Sequence, residues 1–206
     1  MVKLFWYKCR VAPYKHPAPL LDAKRAIRYV RYNAEKFSID PNKVGILGFS
    51  AGGHLAGLVA EFFDKFEENA QDEIDKISAK PNLAVLCYPV ISLCENYAHK
   101  GSANNLVGED EELKKMLSLE KNVREDMPEM LLWHTLEDTT VSAINSLEMG
   151  IALKNKNVPY SLHIFNKGAH GSVLAENIEG TKEWSDSLKS ILKSRGFIDN
   201  QSYRWL

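Results

Sequence analysis

The sequence predicts an α/β fold, a mainly parallel sheet with helices on both faces. Two observations carry that expectation. Short apolar runs alternate with longer segments of helical period, the order that parallel crossovers require. Polar residues able to do chemistry recur just past the ends of those runs, where open parallel sheets place their functional groups.

Each element has its own signal. Val2-Lys3-Leu4-Phe5-Trp6-Tyr7 reads as an opening strand. A loop over 12–19 follows, where proline restrains φ and biases the preceding residue away from helix. The next helix carries Ala23, Ala26, Ile27, Val30, Ala34 and Phe37 on one face, with Asp22 at its start to suit the helix dipole. Ile39-Asp40-Pro41-Asn42 ends that unit, and Val44 opens a strand through Ile46 and Leu47.

The helix after Ser50 shows Gly53, Ala56, Gly57 and Ala60, small enough for close approach to the sheet. Segments 83–88, 130–135 and 158–165 read as three further strands. Ile144, Leu147 and Ile151 mark the buried face of the helix before the last strand. Trp184, Leu188, Ile191 and Leu192 mark that of the final helix. The interval 94–127 is more polar, with a charged run at 109–112. It reads as a cap beside the site or as solvated helix and loops. No repeat or linker interrupts the chain, and 1–206 reads as one domain.

Composition narrows the function. With 45% hydrophobic residues in 206, the chain can bury about 70% of the surface that its unfolded form exposes. A formal net charge of −1 without a basic block argues against nucleic acid or anionic membranes as partners. No apolar run reaches membrane-spanning length, and the start reads as a strand rather than a signal peptide, so a cytoplasmic location is expected. Cys9, Cys87 and Cys94 form no C-x-x-C pair, and Cys87 reads as a buried, reduced residue. Their spacing with His99 does not suit zinc, so no metal site is assigned.

The chemistry centres on Gly48-Phe49-Ser50-Ala51-Gly52, a G-x-S-x-G at the junction of an apolar run and a small-residue helix. That is the context of a nucleophile elbow, whose tight turn leaves little room for flanking side chains, hence Gly48 and Gly52. A serine there needs a base to take its proton and a carboxylate to orient the base. Leu136-Glu137-Asp138-Thr139-Thr140 and Asn166-Lys167-Gly168-Ala169-His170-Gly171, each just past a strand, supply both in the order acid, then histidine. His54, His134 and His163 read as packed or hydrogen-bonded core residues, and His16 and His99 as solvated loop residues. Only His170 lies between glycines just past a strand end. Glu137 and Asp138 both stand as candidates for the acid.

These residues resemble those of an α/β-hydrolase of the small esterase group that includes acetyl-xylan-esterase-like and other bacterial carbohydrate-ester hydrolases. The resemblance rests on Pro17-Ala18-Pro19-Leu20 with Asp22, on 48–56, and on Trp133-His134-Thr135 with Asp138 and Val141. It continues through His163-Ile164-Phe165 with Gly168 and His170-Gly171. It implies an α/β-hydrolase-type sheet, with Ser50 as nucleophile, His170 as general base and acid, and Asp138 as orienting carboxylate. The N–H of Ala51 would be one oxyanion donor. No metal or organic cofactor is implied, and the substrate would be a small-molecule or oligosaccharide ester, such as a short-chain acyl or acetyl ester of a carbohydrate.

Members of the group usually carry a Gly-rich oxyanion loop upstream of the elbow, and no Gly-rich stretch precedes Gly45. The resemblance therefore implies a sheet shortened at its N-terminal side, with an exposed edge through which copies could associate. Two alternatives stay open beside the esterase: a peptidase or amidase of the same superfamily, and a catalytically impaired hydrolase or interaction module.

Overall fold

The computed structural model describes residues 3–11, 13–66 and 70–198. Four strands, β1 (Gly45–Phe49), β2 (Leu83–Cys87), β3 (Glu129–Thr135) and β4 (Tyr160–Phe165), form one sheet in the order β1-β2-β3-β4. Every pairing is parallel, with Gly45 opposite Leu83, Leu83 opposite Glu129 and Met130 opposite Tyr160. Between and around them lie α1 (Ala18–Tyr32), α2 (Ala34–Phe37), α3 (Ala51–Glu61), α4 (Lys100–Val107), α5 (Glu111–Met116), α6 (Ile144–Asn155) and α7 (Trp184–Ser194).

Strand alternation builds two cores. Ala84, Leu86, Met130 and Leu132 point to one face, where they pack with Ala23 and Ile27 of α1, Ala56 and Val59 of α3, and Met149 and Leu153 of α6. Leu83, Val85, Cys87, Leu131 and Trp133 point to the other, under α7. There Trp133 stacks on Trp184 with ring centroids 5.1 Å apart. Because both faces are covered, the two central strands are apolar at successive positions, which is why they read as unbroken runs. Segment 94–127 folds as α4, α5 and a 3-10 turn at Leu119–Lys121, and Ala103, Val107, Leu117 and Leu119 join the α1/α3/α6 core. Among the described residues no helix is long and apolar enough to cross a membrane.

Several expectations are corrected. Residues 3–7 form no strand, and Val2 lies outside the described residues. A strand needs a ladder partner for its backbone groups, and this segment instead lies on the surface, with Phe5 against Phe37 at 4.7 Å and Trp6 89% exposed. β1 is an edge of the sheet, with Leu47 exposed. The first helix breaks at Asn33 into α1 and α2, and it begins at Ala18, so Asp22 falls beyond the first turn. Asp22 pairs with Arg10 at 2.8 Å instead of serving the dipole.

The face of α6 is also reversed. Ile144, Leu147 and Ile151 are exposed, and Asn145 and Ser146 are buried. Asn145 Oδ1 accepts from the N–H groups of Ile91 (2.9 Å) and Ser92 (3.1 Å), and its Nδ2 donates to the carbonyls of Tyr97 and Ser142. Polar anchoring, not apolar period, sets the rotation of this helix. On α3, Gly57 serves closeness to the 3-10 turn rather than to the sheet: a Cβ there would lie 2.3 Å from Leu119 Cδ1.

Candidate active site

Ser50 sits between the carboxyl end of β1 and the first residue of α3 with φ 55° and ψ −119°. This is sparsely populated space for an L-residue, costing about 1–3 kcal/mol. The surroundings over-determine it. Ser50 N–H donates to the Cys87 carbonyl (2.9 Å), and its own carbonyl accepts from His54 N (3.1 Å) and Val90 N (3.3 Å). The turn is tight because α3 comes back over β1: a Cβ on Gly48 would lie 1.9 Å from the Gly52 carbonyl oxygen. Gly52 itself is not confined, since a Cβ there meets nothing within 4 Å, whereas one on Gly53 would press Pro89 at 2.9 Å. The steric demand therefore falls on Gly48 and Gly53, not on Gly48 and Gly52.

The structure brings the three expected residues into one chain of hydrogen bonds. Ser50 Oγ lies 2.7 Å from His170 Nε2, and His170 Nδ1 lies 2.6 Å from Asp138 Oδ2. The Asp138 side chain is fully buried and that of His170 is 19% exposed. Asp138 Oδ1 accepts from the N–H groups of Thr140 and Val141, both at 2.9 Å, which leaves Oδ2 directed at the imidazole. With Nδ1 donating to a carboxylate, Nε2 is free to accept the hydroxyl proton of Ser50. The arrangement can therefore turn that hydroxyl into a nucleophile.

The loop bearing His170 is held from three sides. Gly168 N–H donates to Glu137 Oε2 (3.0 Å), and Thr135 Oγ1 donates to the Gly168 carbonyl (2.6 Å). Tyr88, at the end of β2, meets the His170 ring edge-on at 5.0 Å between centroids, and its hydroxyl accepts from Val173 N–H (3.1 Å). Burial raises the pKa of that phenol. Glu137 thus anchors the histidine loop, while its neighbour contacts the histidine. No motif marks Tyr88 in the sequence. Its signal is positional, since it follows β2 directly as Ser50 follows β1.

The other histidines divide. His54 is buried on the Leu117 carbonyl (2.9 Å), and burial lowers its pKa to about 4. His134 is fully buried with both ring nitrogens engaged. His163 lies on β4, half-buried and stacked near Phe165. His99 is not a solvated loop residue: its Nδ1 caps α4 by accepting from Ser102 N (3.2 Å). Nor is His16, whose ring packs edge-on against Phe66 at 4.7 Å with neither nitrogen exposed. All three cysteines are free thiols, and Cys87 is buried. Cys94, Glu95 and Glu120 bring ligand atoms within 4.8 Å of one another. Glu95, however, is already paired with Lys121 at 2.6 Å.

The model of the BD-FAE family matches residues 7–153. Endo-1,4-beta-xylanase B of Butyrivibrio fibrisolvens is 39% identical over 186 residues, covering 87% of this chain and 29% of that protein. Acetylxylan esterase of Xylanibacter ruminicola is 32% identical over 159 residues, covering 74% of this chain and 31% of that one. The chain thus spans under a third of the length of these two relatives. Among solved structures, an acetyl ester-xyloside bifunctional hydrolase from Caldicellulosiruptor lactoaceticus superposes with a TM-score of 0.87 at 50% identity. That match covers 93% of this chain and 71% of the other. The parallel sheet and its helices are those of the α/β-hydrolases.

Proposed function

The chain belongs to the BD-FAE family, and from that premise we propose that it is a serine esterase acting on short-chain acyl esters of carbohydrates, acetyl esters first. The observation that carries this reading is the unbroken hydrogen-bond chain from Ser50 Oγ through His170 to Asp138. In the proposed reaction His170 Nε2 takes the Ser50 proton as Oγ bonds to the ester carbonyl carbon. The C–O bond to the alcohol then breaks, and the same proton passes from His170 to the departing oxygen, leaving an acyl-enzyme. A water, deprotonated by His170, attacks that acyl group and releases the acid and Ser50. Asp138 holds the imidazole in the productive tautomer and stabilises its charged form. Ala51 opens α3, so its N–H belongs to the first turn, whose donors have no partner within the helix. It is the proposed oxyanion donor.

The carbohydrate ester assignment draws on the acetylxylan esterase and the acetyl ester-xyloside hydrolase among its relatives. The test is hydrolysis of p-nitrophenyl acetate by the chain beside its Ser50→Ala variant, followed by acetylated xylo-oligosaccharides against amide and dipeptide substrates. Ser50-dependent release of acetate from the oligosaccharides is expected. Equal, near-background rates in both proteins would overturn the esterase in favour of an impaired hydrolase or interaction module. Faster amide cleavage would move the assignment to a peptidase or amidase.

A further inference from the structure

One buried ring ties the acid loop to two other elements. His134, on β3, is 0% exposed. Its Nε2 lies 2.9 Å from the Val141 carbonyl and 3.3 Å from Asp138 Oδ2, and its Nδ1 lies 2.8 Å from Ser146 Oγ on α6. A carbonyl can only accept, so Nε2 carries the proton, and Nδ1 must then accept the Ser146 hydroxyl proton. The tautomer is thereby decided by the partners. The Nε2–H donates to the Val141 carbonyl of the acid loop, and the carboxylate oxygen that receives His170 Nδ1 lies 3.3 Å from the same nitrogen.

We propose that His134 is a positioning residue, its Nε2–H fixing the direction of the Asp138 carboxylate and, through it, the His170 ring. The inference rests on the esterase reading of Ser50 and deepens it. Packing alone would be served by an apolar side chain of similar size. Burying two ring nitrogens instead costs free energy unless both are satisfied. Here each is satisfied, Nδ1 by the Ser146 hydroxyl and Nε2 by the Val141 carbonyl, and the second sits 3.3 Å from the Asp138 carboxylate.

The charge state also fits. The titratable groups acting on His134 are Asp138 and His170, and burial lowers its pKa, so the ring stays neutral. A neutral donor orients Asp138 without competing as a second cation for the charge that stabilises His170 when it is protonated. Ser146 completes the arrangement by holding the ring plane from α6.

The test compares His134→Leu, which removes the donor, with His134→Gln, whose amide N–H reaches the position of Nε2. Steady-state hydrolysis of p-nitrophenyl acetate is measured with the proton NMR line of the His170 Nδ1–H. The leucine variant should lose roughly tenfold in kcat with KM within about twofold, and its Nδ1–H line should shift or broaden. Glutamine should restore most of the rate and the line. Equal losses in both variants would reduce His134 to packing and overturn the proposal, as would an unchanged kcat and an unchanged line in a folded leucine variant.

Should the leucine variant not fold, Ser146→Ala keeps the ring and frees its plane. A roughly threefold loss in kcat at constant KM is then expected, and no loss would overturn the proposal. A wild-type chain without Ser50-dependent turnover would sink the esterase reading alone. The NMR line would still decide whether His134 positions the Asp138–His170 pair.

Discussion

Glu137 accepts the backbone N–H of Gly168 at 3.0 Å, so the residue beside the acid fastens the loop that carries the histidine. Adjacent carboxylates have been given separate tasks by the turn between them: Asp138 is buried on His170, and Glu137 lies at the surface on the loop backbone. Glu137→Ala should therefore cost only about threefold to tenfold in kcat/KM, the worth of one partly exposed hydrogen bond. Asp138→Ala should cost on the order of a thousandfold or more. Parallel kinetics on the two variants check the division, and similar losses would refute it.

The elbow makes an asymmetric demand on its glycines. Gly48→Ala places a methyl group 1.9 Å from a backbone oxygen that cannot swing aside, and it should destabilise the fold by about 3 kcal/mol or more. Gly52→Ala enters open space in the first turn of α3 and should be neutral or stabilising by up to about 1 kcal/mol. Chemical denaturation of both variants is the measurement. A well-folded Gly48→Ala protein would contradict the geometry.

Asn145 should be among the least replaceable residues of α6. Asn145→Ala strands the buried N–H groups of Ile91 and Ser92 and should cost about 3–5 kcal/mol. Leu147→Gln, on the exposed face, should stay within about 0.5 kcal/mol of the parent. Thermal melts that reversed this order would mean that the helix is rotated in solution.

Glu61 is buried, and among the described residues neither of its carboxylate oxygens has a hydrogen-bond partner. Desolvation, reinforced by Glu120, pushes its pKa well above the usual carboxylate range. The folded state therefore holds this proton when the unfolded state has released it. Its contribution to stability is complete below the unfolded pKa of about 4.3 and is lost as pH rises toward the folded value, by about 1.4 kcal/mol per pH unit. Glu61→Gln should remove this loss. The variant should match the parent near pH 4 and exceed it in stability at pH 8, as read from denaturant midpoints at both. A constant difference across that range would rule out the proton linkage.

How legible the site was follows from how local each requirement is. Ser50 could be found because an elbow needs a small residue at Gly48, a strand before and a helix after, all within a dozen positions. His170 could be singled out because it lies between glycines just beyond a strand of a parallel sheet, whereas that position left Glu137 and Asp138 both open and only the family resemblance favoured Asp138. The face of α6 could not, because apolar period assumes that burial follows hydrophobicity, and there two polar side chains are drawn inward by partners on the β2–α4 connection and β3. The role of Asp22 is hidden from the sequence for the same reason, since its partner Arg10 lies in a surface segment with no regular structure.

Strand order along the chain, the covered parallel sheet and the position of Ser50, the proposed nucleophile, were thus written into neighbouring residues, where backbone sterics and side-chain alternation act. The contacts of Asp138, the anchoring of the histidine loop by Glu137, and the placing of His134 Nε2 at 3.3 Å from Asp138 belong to the folded state alone. Ser50 and His170 are 120 positions apart, and they meet only because parallel pairing brings the carboxyl ends of β1 and β4 to the same side of the sheet. Hydrogen bonds between such distant groups have no period or spacing to announce them, and only the tertiary packing decides which of them form.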